Sequence, residues 1–170
     1  ELAELARRFD RFALWLLQQP FAHGDIKPDN ILIDAAGELR LVDFDGMFLP
    51  QFAGESSLQL GSPVWQHPAR DEKYFNLHID DYPIALMSLS LHALALDPTL
   101  YLRYNDRDNL ILNASEVVSG KSELFATLGP QFMDKGLGVL FDLWRALQTP
   151  EPMIADLENL FAALVGERTL

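Results

Sequence analysis

The chain has 170 residues, a length typical of one domain, and 49% of them are apolar, which is enough to build a hydrophobic core. Its formal charge is −12, and such an acid excess disfavours binding to nucleic acid or to an anionic membrane surface. Cysteine is absent, so disulfides and thiolate metal sites are excluded.

The first predicted elements are a helix, a loop and a hairpin. Apolar residues recur at steps of three and four as far as Gln19-Pro20 and predict one buried helix face: Leu2, Leu5, Phe9, Phe12 and Leu16. Residues 21–30 form a polar loop. The short apolar runs 31–33 and 39–42 follow, separated by a few turn-forming residues, and they predict a two-stranded hairpin.

The rest of the chain is predicted to be helical after one long loop. Residues 43–70 contain three glycines and three prolines without a steady period, and long ordered loops are often functional. Residues 82–96 are apolar on all sides, which predicts a helix in the middle of the fold, and their apolar run is too short to span a bilayer. Residues 97–122 show no clear pattern. Further helices are predicted at 122–128, 137–147 and 152–165. The sequence thus predicts a single domain, 1–170, that is mainly α with one small β-hairpin.

Polar side chains with complementary chemistry surround the predicted hairpin. Asn30 precedes its first strand and Asp43 follows its second, so the hairpin is expected to bring them together, where an amide and a carboxylate oxygen suit Mg²⁺. Asp25 is then poised to orient or deprotonate a hydroxyl, and Lys27 to neutralise a phosphoryl group. These are the groups that phosphoryl transfer requires on one side of its nucleotide. The alternatives are turn-forming and capping roles for the Asp and Asn residues, and a solvated charge for Lys27.

Four segments, in order, resemble motifs of the protein-kinase superfamily. Residues 23–32 read H-G-D-I-K-P-D-N-I-L and resemble its catalytic loop, H-R-D-x-K-x-x-N. Residues 43–46 resemble its metal-binding D-F-G, residues 61–69 the end of its activation segment, and residues 78–82 the start of its buried central helix. The resemblance covers residues 1–97 in detail. It implies a kinase-like C-terminal lobe, helical with a small hairpin after the catalytic loop, of a bacterial-type Ser/Thr protein kinase.

The resemblance also implies roles for particular residues. Asp25 is similar to the catalytic base, Lys27 to the phosphate-contacting lysine, and Asn30 and Asp43 to the Mg²⁺ ligands. Three positions are expected to border the ribose and adenine of the nucleotide: the backbone of Asp29, Leu32 and Val42.

Structural roles are expected at four further positions. His23 is expected to pack against Phe44 rather than to act as a base. The Ser62 hydroxyl is expected to hydrogen-bond near the catalytic base. Asp80 is expected to cap the central helix and to bind the backbone of the catalytic loop.

Three substitutions depart from the family pattern. Gly24 replaces the arginine of H-R-D, so a switch operated by activation-loop phosphorylation should be absent. Asp45 replaces the glycine of D-F-G, with Gly46 one step later, which is expected to displace the flexible position. Ala69 replaces the glutamate that forms a buried ion pair in the family. The sequence also shows no Gly-rich loop and no V-A-I-K-like lysine, so an N-terminal ATP-binding lobe of the same parent chain is expected as a partner.

The function implied by the resemblance is transfer of the γ-phosphoryl group of ATP, with Mg²⁺, to Ser or Thr hydroxyls of a protein substrate. The isolated chain is expected to be nearly inactive, and the parent to be cytoplasmic. One alternative is a pseudokinase or docking module without turnover. A small-molecule kinase of the aminoglycoside type is another, and Lys27 disfavours it.

Overall fold

The computed structural model describes residues 1–167, and residues 168–170 of the predicted domain lie outside that part. The described chain is mainly helical with one two-stranded sheet, as predicted. Helix α1 spans Leu2–Leu17 and presents its apolar residues, Phe9, Ala13 and Leu16 among them, to the core. It ends just before the Gln19-Pro20 stop signal because proline cannot continue a helical hydrogen-bond ladder.

The predicted hairpin is confirmed. Strands β1 (Ile31–Ile33) and β2 (Leu39–Leu41) pair antiparallel, with Ile31 opposite Leu41. The turn is closed by the Asp34 carboxylate, which accepts hydrogen bonds from the N–H groups of Ala36 and Glu38 at 2.9 Å each. The Arg8 guanidinium of α1 donates to the Gly37 carbonyl at 2.7 Å, so the first helix holds the hairpin in position.

Helix α2 spans Asp81–Leu96 and forms the centre of the core, again as predicted. Every residue from Asp81 to Leu94 is buried, and Leu86 and Leu89 have no exposed surface. The polar residues in this helix have internal partners: the Ser88 hydroxyl donates to Asp10 of α1 at 2.7 Å, and His92 Nε2 lies 2.8 Å from the same carboxylate. No helix within residues 1–167 is long and apolar enough to cross a membrane.

Within residues 1–167, five helices follow α2. Helices α3 (Thr99–Tyr104) and α4 (Ala114–Val118) are short and lie in the region without a clear sequence pattern. Helices α5 (Glu123–Asp134), α6 (Gly138–Ala146) and α7 (Leu157–Gly166) correspond to the three predicted ones.

Two predicted helix boundaries are wrong. Helix α5 continues through Pro130 instead of ending at 128, because the burial of Leu128 and Phe132 outweighs the cost of about 3 kcal/mol for an internal proline. Helix α7 begins five residues later than predicted, since Asp156 just before it has a left-handed backbone (φ +57°) that no helix continues.

The long segment 43–70 is irregular apart from a single turn of 3₁₀ helix at Pro50–Phe52, and specific contacts order it. Near its beginning, Phe48 and Ala22 exchange two backbone hydrogen bonds, of 2.8 and 3.1 Å. Near its end, Trp65 is fully buried and its indole N–H donates to the Asp108 carbonyl at 2.8 Å. The first contact holds the segment against the loop between α1 and β1, and the second holds it against the stretch between α3 and α4.

Candidate active site

The polar loop between α1 and β1 is held by the residue that precedes α2. The Asp80 carboxylate is buried and accepts hydrogen bonds from the backbone N–H groups of His23 (2.5 Å) and Gly24 (2.8 Å). Burial raises the pKa of Asp80, while those hydrogen bonds and the charge of Arg70 oppose the rise. The expected binding of the loop backbone by Asp80 is present, but the expected cap is wrong. Asp80 is at the N-cap position of α2, yet its carboxylate makes no cap hydrogen bond because both oxygens serve the loop.

His23 is fixed as a structural residue. Its ring is fully buried and meets the ring of Phe44 edge-on, with centroids 5.2 Å apart, which is the expected contact. The Asp25 N–H donates to His23 Nδ1 at 3.2 Å, so the hydrogen of the neutral ring is on Nε2, which donates to the Val42 carbonyl at 2.8 Å. Nδ1 thus stabilises the loop internally, and Nε2 holds the loop against the hairpin.

The Asp25 carboxylate is surrounded by donors. Its Oδ1 accepts from the backbone N–H of Ser62 at 2.9 Å. Its Oδ2 accepts from the Asn30 side-chain amide at 3.1 Å and lies 3.5 Å from the Lys27 ammonium group. The side chain remains 17% exposed, so it is oriented by its neighbours and still accessible from outside. Such an arrangement can hold a carboxylate in one rotamer while it receives a proton.

Asn30 and Asp43 lie on neighbouring parts of the hairpin backbone. The Asn30 carbonyl accepts from the Val42 N–H at 3.0 Å, and Asp43 is the next residue. The buried Asn30 amide also donates to the Asp25 carbonyl at 2.8 Å, and both of its hydrogen bonds to Asp25 use Nδ2 and not Oδ1. Asp43 is exposed and has a left-handed backbone (φ +61°), which is uncommon outside glycine and often marks functional sites. The unusual backbone conformation is therefore at Asp43. The displacement of the motif's glycine had instead suggested Gly46.

Two glycines allow the activation-segment-like stretch to approach the loop. Gly24 has φ +90°, and a Cβ there would lie 2.2 Å from the Gly46 carbonyl oxygen. Gly61 has φ +73°, and a Cβ there would lie 2.8 Å from the Gly24 carbonyl oxygen. The absence of an arginine side chain at position 24 is therefore required by the local backbone. Ser62 contacts Asp25 as predicted, but through its backbone N–H and not through its hydroxyl.

The positions expected to border the nucleotide lie on one side of the hairpin and the turn before it. Leu32 is 53% exposed, Asp29 is exposed, and Val42 is half-buried. Exposed aliphatic side chains on a short hairpin offer an apolar surface to a planar group. Their assignment to the nucleotide stays a prediction.

Arg70 is a buried residue that the sequence analysis missed. It is 7% exposed, and its guanidinium donates to the Gly24 carbonyl at 2.9 Å and to the Gln59 carbonyl at 3.4 Å. Ala69, at the position expected to lack a buried ion pair, is exposed, so the buried charge of this segment lies one residue later. Arginine is usually exposed, and the only signal in the sequence was a basic residue directly after the motif at residues 61–69.

No family model matches the chain. Among curated proteins, it is 30% identical over 120 residues to the maternal embryonic leucine zipper kinase of Xenopus laevis, which covers 68% of this chain and 17% of that protein. It is 27% identical over 135 residues to CBL-interacting protein kinase 1 of Oryza sativa subsp. japonica, covering 77% of this chain and 26% of that protein. It is 40% identical over 52 residues to the citron Rho-interacting kinase of Mus musculus, covering 30% of this chain and 2% of that protein.

These similarities support the protein-kinase superfamily. The chain spans about a sixth of the length of the first of these relatives and about a quarter of the second, so it corresponds to one part of a longer protein in each comparison.

Proposed function

We propose that this chain is the C-terminal lobe of a Ser/Thr protein kinase of bacterial type, and that in its parent protein it transfers the γ-phosphoryl group of ATP to a protein hydroxyl. The observation that supports this most directly is the Asp25 carboxylate, which accepts from Ser62 and Asn30, lies beside Lys27 and stays partly exposed. The similarity to several Ser/Thr protein kinases supports the same reaction class.

The proposed step assigns one task to each side chain. The hydroxyl oxygen of the substrate attacks the γ-phosphorus, the bond from that phosphorus to the β–γ bridging oxygen breaks, and ADP leaves with the bond's electron pair. Asp25 accepts the hydroxyl proton as the new phosphorus–oxygen bond forms. Lys27, held 3.5 Å from Asp25, is near enough to face the negative charge of the transferring group.

Asn30 and Asp43 are proposed to hold Mg²⁺, and the chemistry of the donors fits this ion. The bonds of Asn30 to Asp25 use its Nδ2, so neither of them occupies Oδ1, and Asp43 supplies an exposed carboxylate; both proposed ligands are hard oxygens. Bound Mg²⁺ would supply charge neutralisation for the phosphates. Residues 1–167 contain no group of three or more His, Asp or Glu side chains suited to a metal, so tight binding should also require phosphate oxygens of ATP.

The remaining parts of the proposal concern context. Asp29, Leu32 and Val42 are proposed to border the nucleotide on one side, and an N-terminal lobe of the same parent chain on the other. The single-domain boundary, 1–170, and a cytoplasmic location stay predictions. We also propose that activity does not depend on phosphorylation of segment 43–70, and loss of activity on phosphatase treatment would contradict this.

A pseudokinase or docking module is the second candidate. It is favoured by Asp45 and Ala69, which depart from the family motifs. A small-molecule kinase stays less favoured because of Lys27.

The test is phosphate transfer by the full-length protein that carries this chain, with Mg²⁺, ATP and a panel of protein substrates. Asp25→Asn should lower kcat by about 10²-fold or more, which is the usual contribution of a general base. Asp43→Ala should lower it at least as much. Asp142→Asn, on the exposed side of α6, is the matched control and should leave kcat unchanged. Equal rates for wild type and Asp25→Asn, with matching thermal melts, would exclude Asp25 as the base. No transfer by the wild type would favour the pseudokinase.

A further inference from the structure

The buried guanidinium of Arg70 lies directly beneath the loop that carries Asp25. Burying a cation is costly, and burial lowers the pKa of Arg70 while the charges of Asp80 and Asp25 favour its protonated form. The described structure nevertheless keeps this group 7% exposed and directs it to backbone oxygens of two different segments. A buried cation with such partners indicates a specific task in organising them.

The contacts of Arg70 and Asp80 are complementary. Asp80 binds the N–H groups of His23 and Gly24, and Arg70 binds the carbonyl of Gly24. The backbone immediately before Asp25 is therefore held both through its N–H donors and through a carbonyl acceptor. Charge-assisted hydrogen bonds of this kind are roughly twice as strong as neutral ones.

Arg70 also connects this loop to the segment that orients Asp25. Arg70 is the last residue of segment 43–70, and it donates to the Gln59 carbonyl within that segment. Ser62, whose N–H donates to Asp25 Oδ1, lies between these two residues in the chain. The Gly24 carbonyl, which Arg70 binds, would lie 2.8 Å from a Cβ at Gly61, the neighbour of Ser62. The loop and the segment meet at this point, and Arg70 contacts both.

We propose that Arg70 is a positioning residue for Asp25, a permanent internal cation that fixes the catalytic loop against segment 43–70 without any added phosphoryl group. The proposal rests on the proposed phosphoryl transfer for its catalytic part. It assigns Arg70 no contact with substrate or nucleotide, because the guanidinium is buried and its two bonded partners are backbone carbonyls.

The experiment uses the full-length protein with two neutral variants, Arg70→Met and Arg70→Gln. Both should lower kcat by about 10- to 100-fold, since a displacement near 1 Å in a catalytic group has effects of this size, and leave the KM for ATP within about twofold. Arg70→Lys, which keeps the charge and one hydrogen-bond-donating nitrogen, should recover most of the lost rate. The exposed Arg103, which pairs with Asp97 on the surface, provides the matched control, and Arg103→Met should behave as wild type.

A second measurement, hydrogen–deuterium exchange, separates this proposal from the proposed function. The amides of residues 21–30 should exchange faster than in wild type in the two neutral variants, and at the wild-type rate in Arg103→Met. The comparison is made at temperatures where thermal melts show that all variants are folded. Wild-type rates together with unchanged exchange in the neutral variants would overturn the proposal. Where the wild type itself transfers no phosphate, the proposed function fails, and exchange alone decides: faster exchange at 21–30 supports a positioning role, and unchanged exchange overturns it.

Discussion

Replacement of Asp80 by alanine is expected to be among the most destabilising single changes near the site. Asp80 is 3% exposed and accepts from two buried backbone N–H groups, those of His23 and Gly24. Each N–H that loses its acceptor in the interior costs about 1–3 kcal/mol. The buried Arg70 also loses a carboxylate that favours its charged form. The cost of burying Asp80 itself, visible in its raised pKa, is relieved by the substitution and offsets part of the loss.

We therefore expect Asp80→Ala to lower the free energy of unfolding by about 3 kcal/mol, a large part of the 5–15 kcal/mol typical of a domain. Urea denaturation followed by tryptophan fluorescence measures this, with the m-value compared between variants. Asp142→Ala is the matched control on an exposed helix position, with an expected change within about 0.5 kcal/mol. A loss below about 1 kcal/mol at unchanged m would refute the reasoning, because the loop backbone would then have found other acceptors.

Two further predictions concern α2. Burial raises the pKa of Asp81 from 3.8 to about 6, so its contribution to stability is largest below pH 3.8 and is lost as the pH rises through about 6. Asp81→Asn still offers an acceptor to the Ile154 N–H. In urea denaturation, the free energy of unfolding of this variant relative to wild type should increase by about 3 kcal/mol as the pH rises from about 4 to about 7. Parallel pH curves for the two proteins would contradict this. Leu89→Ala should lower the free energy of unfolding by about 2–5 kcal/mol because Leu89 is fully buried, whereas Leu58→Ala, at a side chain 96% exposed, should change it by less than about 0.5 kcal/mol. Thermal and chemical denaturation of the pair measure the contrast, and similar losses for both would show that burial is not the cause.

Local patterns in the sequence were sufficient to predict the central elements. Apolar residues at steps of three and four reflect burial of one face of α1, and the uniformly apolar run reflects burial of α2 on all sides. The two short runs around a turn predicted the hairpin, although its strands are only partly buried. Helix boundaries were less predictable, because tertiary burial carried α5 through Pro130 and the backbone of Asp156 delayed α7.

The sequence by itself determined which residues form the candidate site, since Asp25, Lys27 and Asn30 are close in the chain and their chemistry is specific. Only the tertiary structure decided how they are held. The partners that orient the loop come from 37 to 57 residues away: the backbone N–H of Ser62, the guanidinium of Arg70 and the carboxylate of Asp80. Whether a serine acts through its hydroxyl or its backbone, and whether an arginine lies at the surface or beneath a loop, depends on which backbone groups need partners after folding. Those needs are set by distant segments that meet only in the folded chain, so no local pattern encodes them.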